Sequence, residues 1–209
     1  MSRKQRKLSR GFLVVLEGID GCGKSTQAKR LVRALRHKGF DTVLFKEPTQ
    51  GRWGRQIKEK AGHPNGLTPK QEFELFQKDR KQNVELNLKP ALEKKKIVVL
   101  DRYYFSTIAY QGAKGIDIHK IKRQNSEIAV SPDLVFILDV DARTGLDRIK
   151  DRQQKDRLFE KEDYLQEVRK RFKSFAGENI VHLDGNASRD DIFLKIKDAV
   201  MNRINGFII

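Results

Sequence analysis

A glycine-rich stretch, Gly18-Ile19-Asp20-Gly21-Cys22-Gly23-Lys24-Ser25-Thr26, fits the pattern G-x-x-x-x-G-K-[ST] and constrains the fold more than any other part of the chain. Before it runs Phe12-Leu13-Val14-Val15-Leu16, short enough to be one buried strand. After it, Ala28, Leu31, Val32 and Leu35 recur at helical spacing. Strand, glycine loop and helix in that order turn a text match into a phosphate site. The glycines let the backbone curl so that successive N–H groups point at one anion. The helix that opens near Lys24 adds its partial positive end. Lys24 is expected to reach the β- and γ-phosphates of a nucleoside triphosphate, and Ser25 to set its hydroxyl on Mg²⁺.

The rest of the chain alternates in the same way. Gly39 stops the first helix after about His37, where a left-handed residue is wanted. Thr42-Val43-Leu44-Phe45 reads as a second strand, ended by Glu47-Pro48, and 49–64 as a loop with a short helix around Arg55–Lys60. Thr68-Pro69-Lys70-Gln71 is a helix start, with Thr as N-cap, Pro in the first turn and Gln as its capping-box partner. That helix is expected to reach about Leu88. Ile97–Asp101, Leu134–Leu138 and Ile180–Leu183 are further strands. Helices are expected from about Ser106, over Asp117–Ala129, from Asp141 to about Lys150 and from about Glu162 to Phe175, and Ser188 and Asp191 open a last one. Five short apolar strands alternating with helices predict an α/β three-layer sandwich of the P-loop NTPase type, with a five-stranded parallel sheet covered on both faces. Ligands then belong at the carboxyl ends of the strands. Residues 1–10 read as a disordered basic tail and 11–205 as a single domain. Residues 151–157 are charged and lack an apolar anchor, so a mobile lid is expected at about 150–160.

Composition narrows the setting. A chain of 209 residues suffices for one domain with a real core. Cys22 is the one cysteine, so no intramolecular disulfide forms and a reducing cytoplasm is the expected location. No apolar run approaches the roughly 20 residues needed to span a bilayer, and Met1–Arg10 lacks the apolar segment of a secretory signal. The formal charge of +16 is compatible with a nucleic-acid-dependent NTPase or binding module. Lys and Arg are, however, spread along the whole chain, which describes a solvated surface better than a groove and does not favour nucleic acid as the partner.

In a parallel sheet the residues just after each strand meet on one edge. Here that edge collects Asp20 and Lys24, then Glu47, then Asp101-Arg102, then the arginines after the fourth strand. A strand-end carboxylate beside a phosphate loop suits Mg²⁺ or its waters. Asp101 is preferred because Arg102 beside it is placed for a second phosphate, and Asp139 is the alternative, with a capping or structural role equally open to it. Phosphoryl transfer needs positive charge around the migrating group more than it needs a base. Arg148, Arg152 and Arg157, in or beside the expected lid, are candidates to close over that group. An acceptor that is itself a phosphate monoester is largely ionised near neutral pH, its second pKa being about 6, and needs positioning rather than deprotonation.

With these residues in hand, the chain resembles the thymidylate kinase family over nearly its whole length. Glu17 to Thr26 resembles the family's E-G-x-D-G-x-G-K-S-T, and Leu75-Phe76-Gln77-Lys78-Asp79-Arg80 its L-F-x-x-D-R. Asp101-Arg102-Tyr103 with Ser106 and Ala109-Tyr110-Gln111-Gly112 resembles D-R-Y…S…A-Y-Q-G, and Pro132-Asp133-Leu134 the P-D-L entry to strand four. The resemblance implies transfer of phosphoryl from ATP to dTMP with Mg²⁺, and a homodimer. It implies that Asp20 binds the sugar 3′-hydroxyl, Phe76 stacks on thymine, and Arg80 and Arg102 between them hold the acceptor phosphate and base edge. Tyr110 would crowd the 2′ position, Gln111 help at the base, and Glu47 join the acceptor's contacts. Core packing is the other reading of Phe76. The variable loop positions carry no arginine, so the transition-state arginine is expected from the lid. Where many members read E-P-G-G-T, this chain has Glu47-Pro48-Thr49-Gln50-Gly51. The downstream I-R pair is Ile57-Lys58, leaving Arg52 or Arg55 to make that arginine's phosphate contact. A kinase of another nucleoside monophosphate or a deoxynucleoside is the alternative within the same chemistry.

Overall fold

The apolar runs become strands of one sheet and the periodic segments become its helices. A computed structural model describes residues 5–60, 66–149 and 158–209. In chain order the elements are β1 (Phe12–Glu17), α1 (Lys24–His37), β2 (Thr42–Lys46), α2 (Arg52–Lys60), α3 (Pro69–Asn83), a π-helical stretch (Val84–Leu88), α4 (Lys89–Glu93), β3 (Ile97–Asp101), α5 (Tyr104–Ala113), α6 (Ile118–Ile128), β4 (Leu134–Asp139), α7 (Ala142–Ile149), α8 (Leu158–Lys173), β5 (Ile180–Asp184) and α9 (Arg189–Asn205). The five strands are all parallel, in the order β2-β3-β1-β4-β5, with helices on both faces.

β1 and β3 are buried at every position, as parallel strands covered on both sides must be. α1 buries Ala28, Leu31, Val32 and Leu35 against them, and α9 buries Ile192, Ile196, Val200 and Ile204. Each such Leu, Ile or Val contributes roughly 1.5–3 kcal/mol on burial. Three helix starts are the expected ones, whereas α2 and α8 open three and four residues earlier than expected, at Arg52 and Leu158. Thr68 and Gln71 form a reciprocal capping box, the Asp141 carboxylate accepts from Arg143 N at 2.9 Å, and Ser188 Oγ accepts from Asp191 N at 3.1 Å.

The register fixes what meets at the carboxyl edge. Asp101 pairs with Leu16 on one side and Lys46 on the other, so the end of β3 lies between the phosphate loop and the segment after β2.

Some expectations shift. The long helix stops at Asn83, where the π-helical stretch takes over, and α5 opens two residues before Ser106. Of the expected tail, residues 1–4 lie outside the described residues, whereas 5–10 lie against the domain. Leu8 is 2% exposed, Ser9 N donates to Phe207 O at 2.7 Å and Ile209 N to Lys7 O at 3.1 Å. Arg10 pairs with Asp133 at 2.7 Å and lies over the Phe207 ring. The reason is local: one apolar residue and one stacking arginine sit inside a run that reads only as basic. Of the lid expected at about 150–160, residues 150–157 lie outside the described residues, and 158–160 already belong to α8. Among the described residues no helix is long and apolar enough to cross a membrane.

Candidate active site

The chain leaves β1 through Gly18, Gly21 and Gly23, whose φ values are +135°, +80° and +97°, a region that side chains other than glycine enter only with strain. Gly21 is also pressed from outside, since a Cβ there would stand 2.1 Å from the Gly145 carbonyl oxygen. A Cβ on Gly145 would stand 2.6 Å from the Asp20 carbonyl oxygen. Loop and α7 therefore touch backbone to backbone. Lys24 is buried, its Nζ donating to Ile19 O at 2.6 Å and to Cys22 Sγ at 3.3 Å. The side chains of Ile19 and Cys22 belong to the core, and Ile19 serves the loop through its backbone.

Two cavities flank the loop. One, of about 520 Å³, is lined by residues 20–27 together with Lys46, Arg102, Arg148, Gly185, Ala187 and Arg189. The other, of about 220 Å³, is lined by Asp20, Glu47, Glu72, Phe76, Arg80, Arg102, Thr107, Tyr110 and Gln111 among others. Asp20 and Arg102 line both, so they stand where the two spaces meet.

Arg102 has φ +75°, uncommon for a residue with a side chain and concentrated at functional sites. Its Nη1 donates to Gly18 O at 3.2 Å and Ser106 Oγ at 2.9 Å, and its Nη2 to Asp20 Oδ1 at 2.6 Å. What holds this turn is Glu17, fully buried at the end of β1. Its Oε1 accepts from Tyr103 N at 2.7 Å and Ser106 N at 3.1 Å, and its Oε2 from Ser106 Oγ at 2.6 Å. Glu17 thus caps the start of α5, which has no side-chain cap of its own. Burial pushes the Glu17 carboxyl up to about 7, against the charges of Arg102 and Lys24 and its own hydrogen bonds. Asp20 goes the other way. Burial opposes its ionisation, but Arg102, Lys24 and the Tyr110 hydroxyl hold its carboxyl down at about 2. Burial, with the Asp20 charge adding to it and Arg102 opposing it, pushes the Tyr110 phenol well above its ordinary range.

Asp101 is buried beside Ser25. Its Oδ2 accepts from Ser25 Oγ and pairs with Lys46 Nζ at 3.2 Å. Its Oδ1 is buried with no partner among the described residues. A carboxylate oxygen left over beside the loop hydroxyl fits a Mg²⁺ ion held mainly through phosphates and water.

At the floor of the smaller cavity lies Arg80, 1% exposed. Its Nε and Nη2 donate to Glu47 Oε2 at 2.9 and 2.7 Å, and its Nη1 to Asn125 Oδ1 at 2.6 Å. Asn83 Nδ2 completes Glu47 with a bond of 3.1 Å to Oε1. Phe76 is half-buried and lines this cavity, whereas Phe73 one turn earlier takes the core position.

Not every candidate converges. Asp139 is taken by Arg169, with bonds of 2.5 and 3.0 Å, and so has the structural role rather than a place beside the loop. Arg148 lines the larger cavity and donates to Gly185 O at 3.1 Å. Arg152 and Arg157 lie outside the described residues. Arg52 lies over the Trp53 ring and Lys58 Nζ donates to Thr49 O at 2.9 Å. Neither of these, nor Arg55, lines either cavity. Sequence reasoning gave no role to Glu17, Lys46, Glu72, Thr107, Asn125 or Gly145. Glu17 and Lys46 stood inside or beside quoted motifs, Lys46 at the end of β2; the others lie alone in helices.

A sequence model of the family described as thymidylate kinase matches residues 16–196. A probable thymidylate kinase of Archaeoglobus fulgidus is 40% identical over 194 residues, covering 93% of this chain and 97% of that protein. A thymidylate kinase of Akkermansia muciniphila is 39% identical over 199 residues, 95% of this chain and 96% of the relative. One of Brachyspira hyodysenteriae is 40% identical over 195 residues, 93% and 94% respectively.

Proposed function

Because the chain belongs to the thymidylate kinase family, we propose that it transfers the γ-phosphoryl group of ATP to dTMP, giving dTDP and ADP. The observation that carries this reading is that Asp20 and Arg102 line both cavities. A donor bound at the glycine loop and an acceptor bound over Arg80 would meet there.

The larger cavity suits ATP. Its phosphates would lie on the N–H groups of the loop from Gly18 to Thr26, and Lys24 would exchange its bond to Ile19 O for the β- and γ-oxygens. The smaller cavity suits dTMP. Phe76 offers a flat apolar face, Arg80 a donor at the base edge, Asp20 an acceptor for the sugar hydroxyl, and Tyr110 bulk at the 2′ position. Gln111 and Glu47 complete that wall. Arg102 would release Asp20 in part and hold the acceptor phosphate as a forked donor. An oxygen of that phosphate attacks the γ-phosphorus while the bond to the β–γ bridging oxygen breaks, and no protein group has to remove a proton. Ser25 and Asp101 would hold Mg²⁺, which when bound neutralises phosphate charge. Arg148, and from the lid Arg152 and Arg157, are the candidates to stabilise the charge on the migrating group.

A cytoplasmic location fits a chain with one, buried, cysteine. A homodimer fits Leu86, which is 65% exposed and shares a cavity wall with Leu44 and Phe45. Sedimentation at micromolar concentration tests the dimer, a single monomeric species counting against it. For the reaction itself, ADP release is measured over a panel of nucleoside monophosphates with and without Mg²⁺. Turnover is expected with dTMP and Mg²⁺; turnover with another monophosphate and none with dTMP would overturn the substrate.

A further inference from the structure

The acceptor cavity contains a carboxylate that the reaction does not call for. Glu72, in the first turn of α3, lines it beside Gln111. Its Oε2 accepts from Gln111 Nε2 at 3.2 Å and pairs with Lys114 Nζ at 2.5 Å. Gln111 is 2% exposed and lines the cavity. We propose that Glu72 is a positioning residue that selects the base: it fixes the Gln111 amide so that its carbonyl, not its NH₂, faces the ring edge of the acceptor nucleotide. The inference rests on dTMP being the acceptor.

The chemistry follows from what each group can do. An amide side chain has a donor end and an acceptor end of nearly the same shape and is free to turn over. An ionised carboxylate only accepts, so Glu72 binds the NH₂ end and the carbonyl points away from it. Lys114 Nζ pairs with the same carboxylate oxygen and so holds it beside the amide. The Thr107 hydroxyl cannot make the choice, because this group, buried in the same wall without a partner among the described residues, both donates and accepts.

Two letters of the base edge are then read. Arg80 is always a donor. Glu47 and Asn125 take three of its N–H groups, and the remaining ones are available to a ring carbonyl. The Gln111 carbonyl is an acceptor for a ring N–H. Thymine and uracil present a carbonyl at C4 and an N–H at N3, which match both. Cytosine presents an amino group and a bare ring nitrogen, so it sets donor against donor and acceptor against acceptor. Buried polar groups left unpaired in this way are what makes such discrimination steep.

The test compares kcat/KM for dTMP, dUMP and dCMP in the wild type, Glu72→Gln and Glu72→Ala. In both variants the amide is free to turn over. The preference for dTMP over dCMP is expected to fall about tenfold or more, with KM for dTMP rising and KM for ATP unchanged. The preference for dTMP over dUMP, which differ only in a methyl group remote from this amide, is expected to stay put. A purely structural loss would lower all three substrates together and overturn the proposal. So would an unchanged dTMP-to-dCMP ratio in a folded variant with an unchanged melting temperature. A wild type inactive on dTMP would instead refute the acceptor assignment.

Discussion

Glu17 is the buried acid on which the turn of Arg102 rests, and replacing it with Gln has a consequence that can be worked out from the structure. In the folded protein burial raises its carboxyl from 4.5 to about 7. Between those values the folded state keeps a proton that the unfolded chain has released. Stability therefore falls as pH rises across that window and levels off above it. At ~1.36 kcal/mol per unit the full effect is about 3 kcal/mol, of which about 2.5 kcal/mol falls between pH 5 and pH 8. Glu17→Gln removes the titration. It adds a constant cost of about 1 kcal/mol, because the amide no longer accepts from Ser106 Oγ while serving both backbone N–H groups. The assay is urea unfolding of the ligand-free protein and the variant at the two pH values. The wild type should lose about 2.5 kcal/mol more than the variant on going to pH 8, so that the stability gap between the two narrows or reverses. Parallel changes in the two proteins would mean that Glu17 ionises as if exposed, and the reasoning about its burial would fail.

Other predictions concern the same edge of the sheet. Arg102→Ala should lower kcat at least a hundredfold while leaving KM for ATP nearly unchanged; equal losses in both would argue against an acceptor role. Arg80→Met leaves Glu47 buried without its partner and should cost about 3–5 kcal/mol in urea unfolding; a loss below about 1 kcal/mol would mean that water reaches Glu47. Asp101→Asn should raise the Mg²⁺ concentration for half-maximal turnover about tenfold, and an unchanged Mg²⁺ dependence would remove Asp101 from the metal site. Gly21→Ala forces a Cβ against the Gly145 carbonyl oxygen at a positive φ and should abolish ATP protection against thermal unfolding; full protection would show that the loop does not need this conformation.

Much of this architecture is written locally. The apolar runs at Phe12–Leu16, Ile97–Leu100 and Leu134–Leu138 are strands because they are short, continuous and bounded by turn residues. The starts of α3 and α9 are legible because Thr68 and Ser188 cap them with partners three residues on. The phosphate loop announces itself because glycine, lysine and hydroxyl must fall at fixed spacing. What was not legible depends on distance in space. Asn125 is an ordinary helical polar residue until α6 brings it to 2.6 Å from Arg80. Gly145 is one glycine in α7 until the loop packs on it. Glu72 reads as a favourable acid in a first helical turn, which it is, and nothing nearby in sequence says that Gln111 will reach it. Leu8 sits among basic residues, and its isolated backbone bridge to Ile208 joins the two ends of the chain in a way no local pattern records.

The central claim is that two nucleotides meet across Asp20 and Arg102. It is tested most directly with adenosine and thymidine joined 5′ to 5′ through a chain of phosphates long enough to reach from the glycine loop to the Phe76 cavity. Titration calorimetry should find one such molecule per chain, and kinetics should find it competitive against both ATP and dTMP. Competition with ATP alone, with dTMP still able to bind, would mean that the two cavities do not serve one reaction.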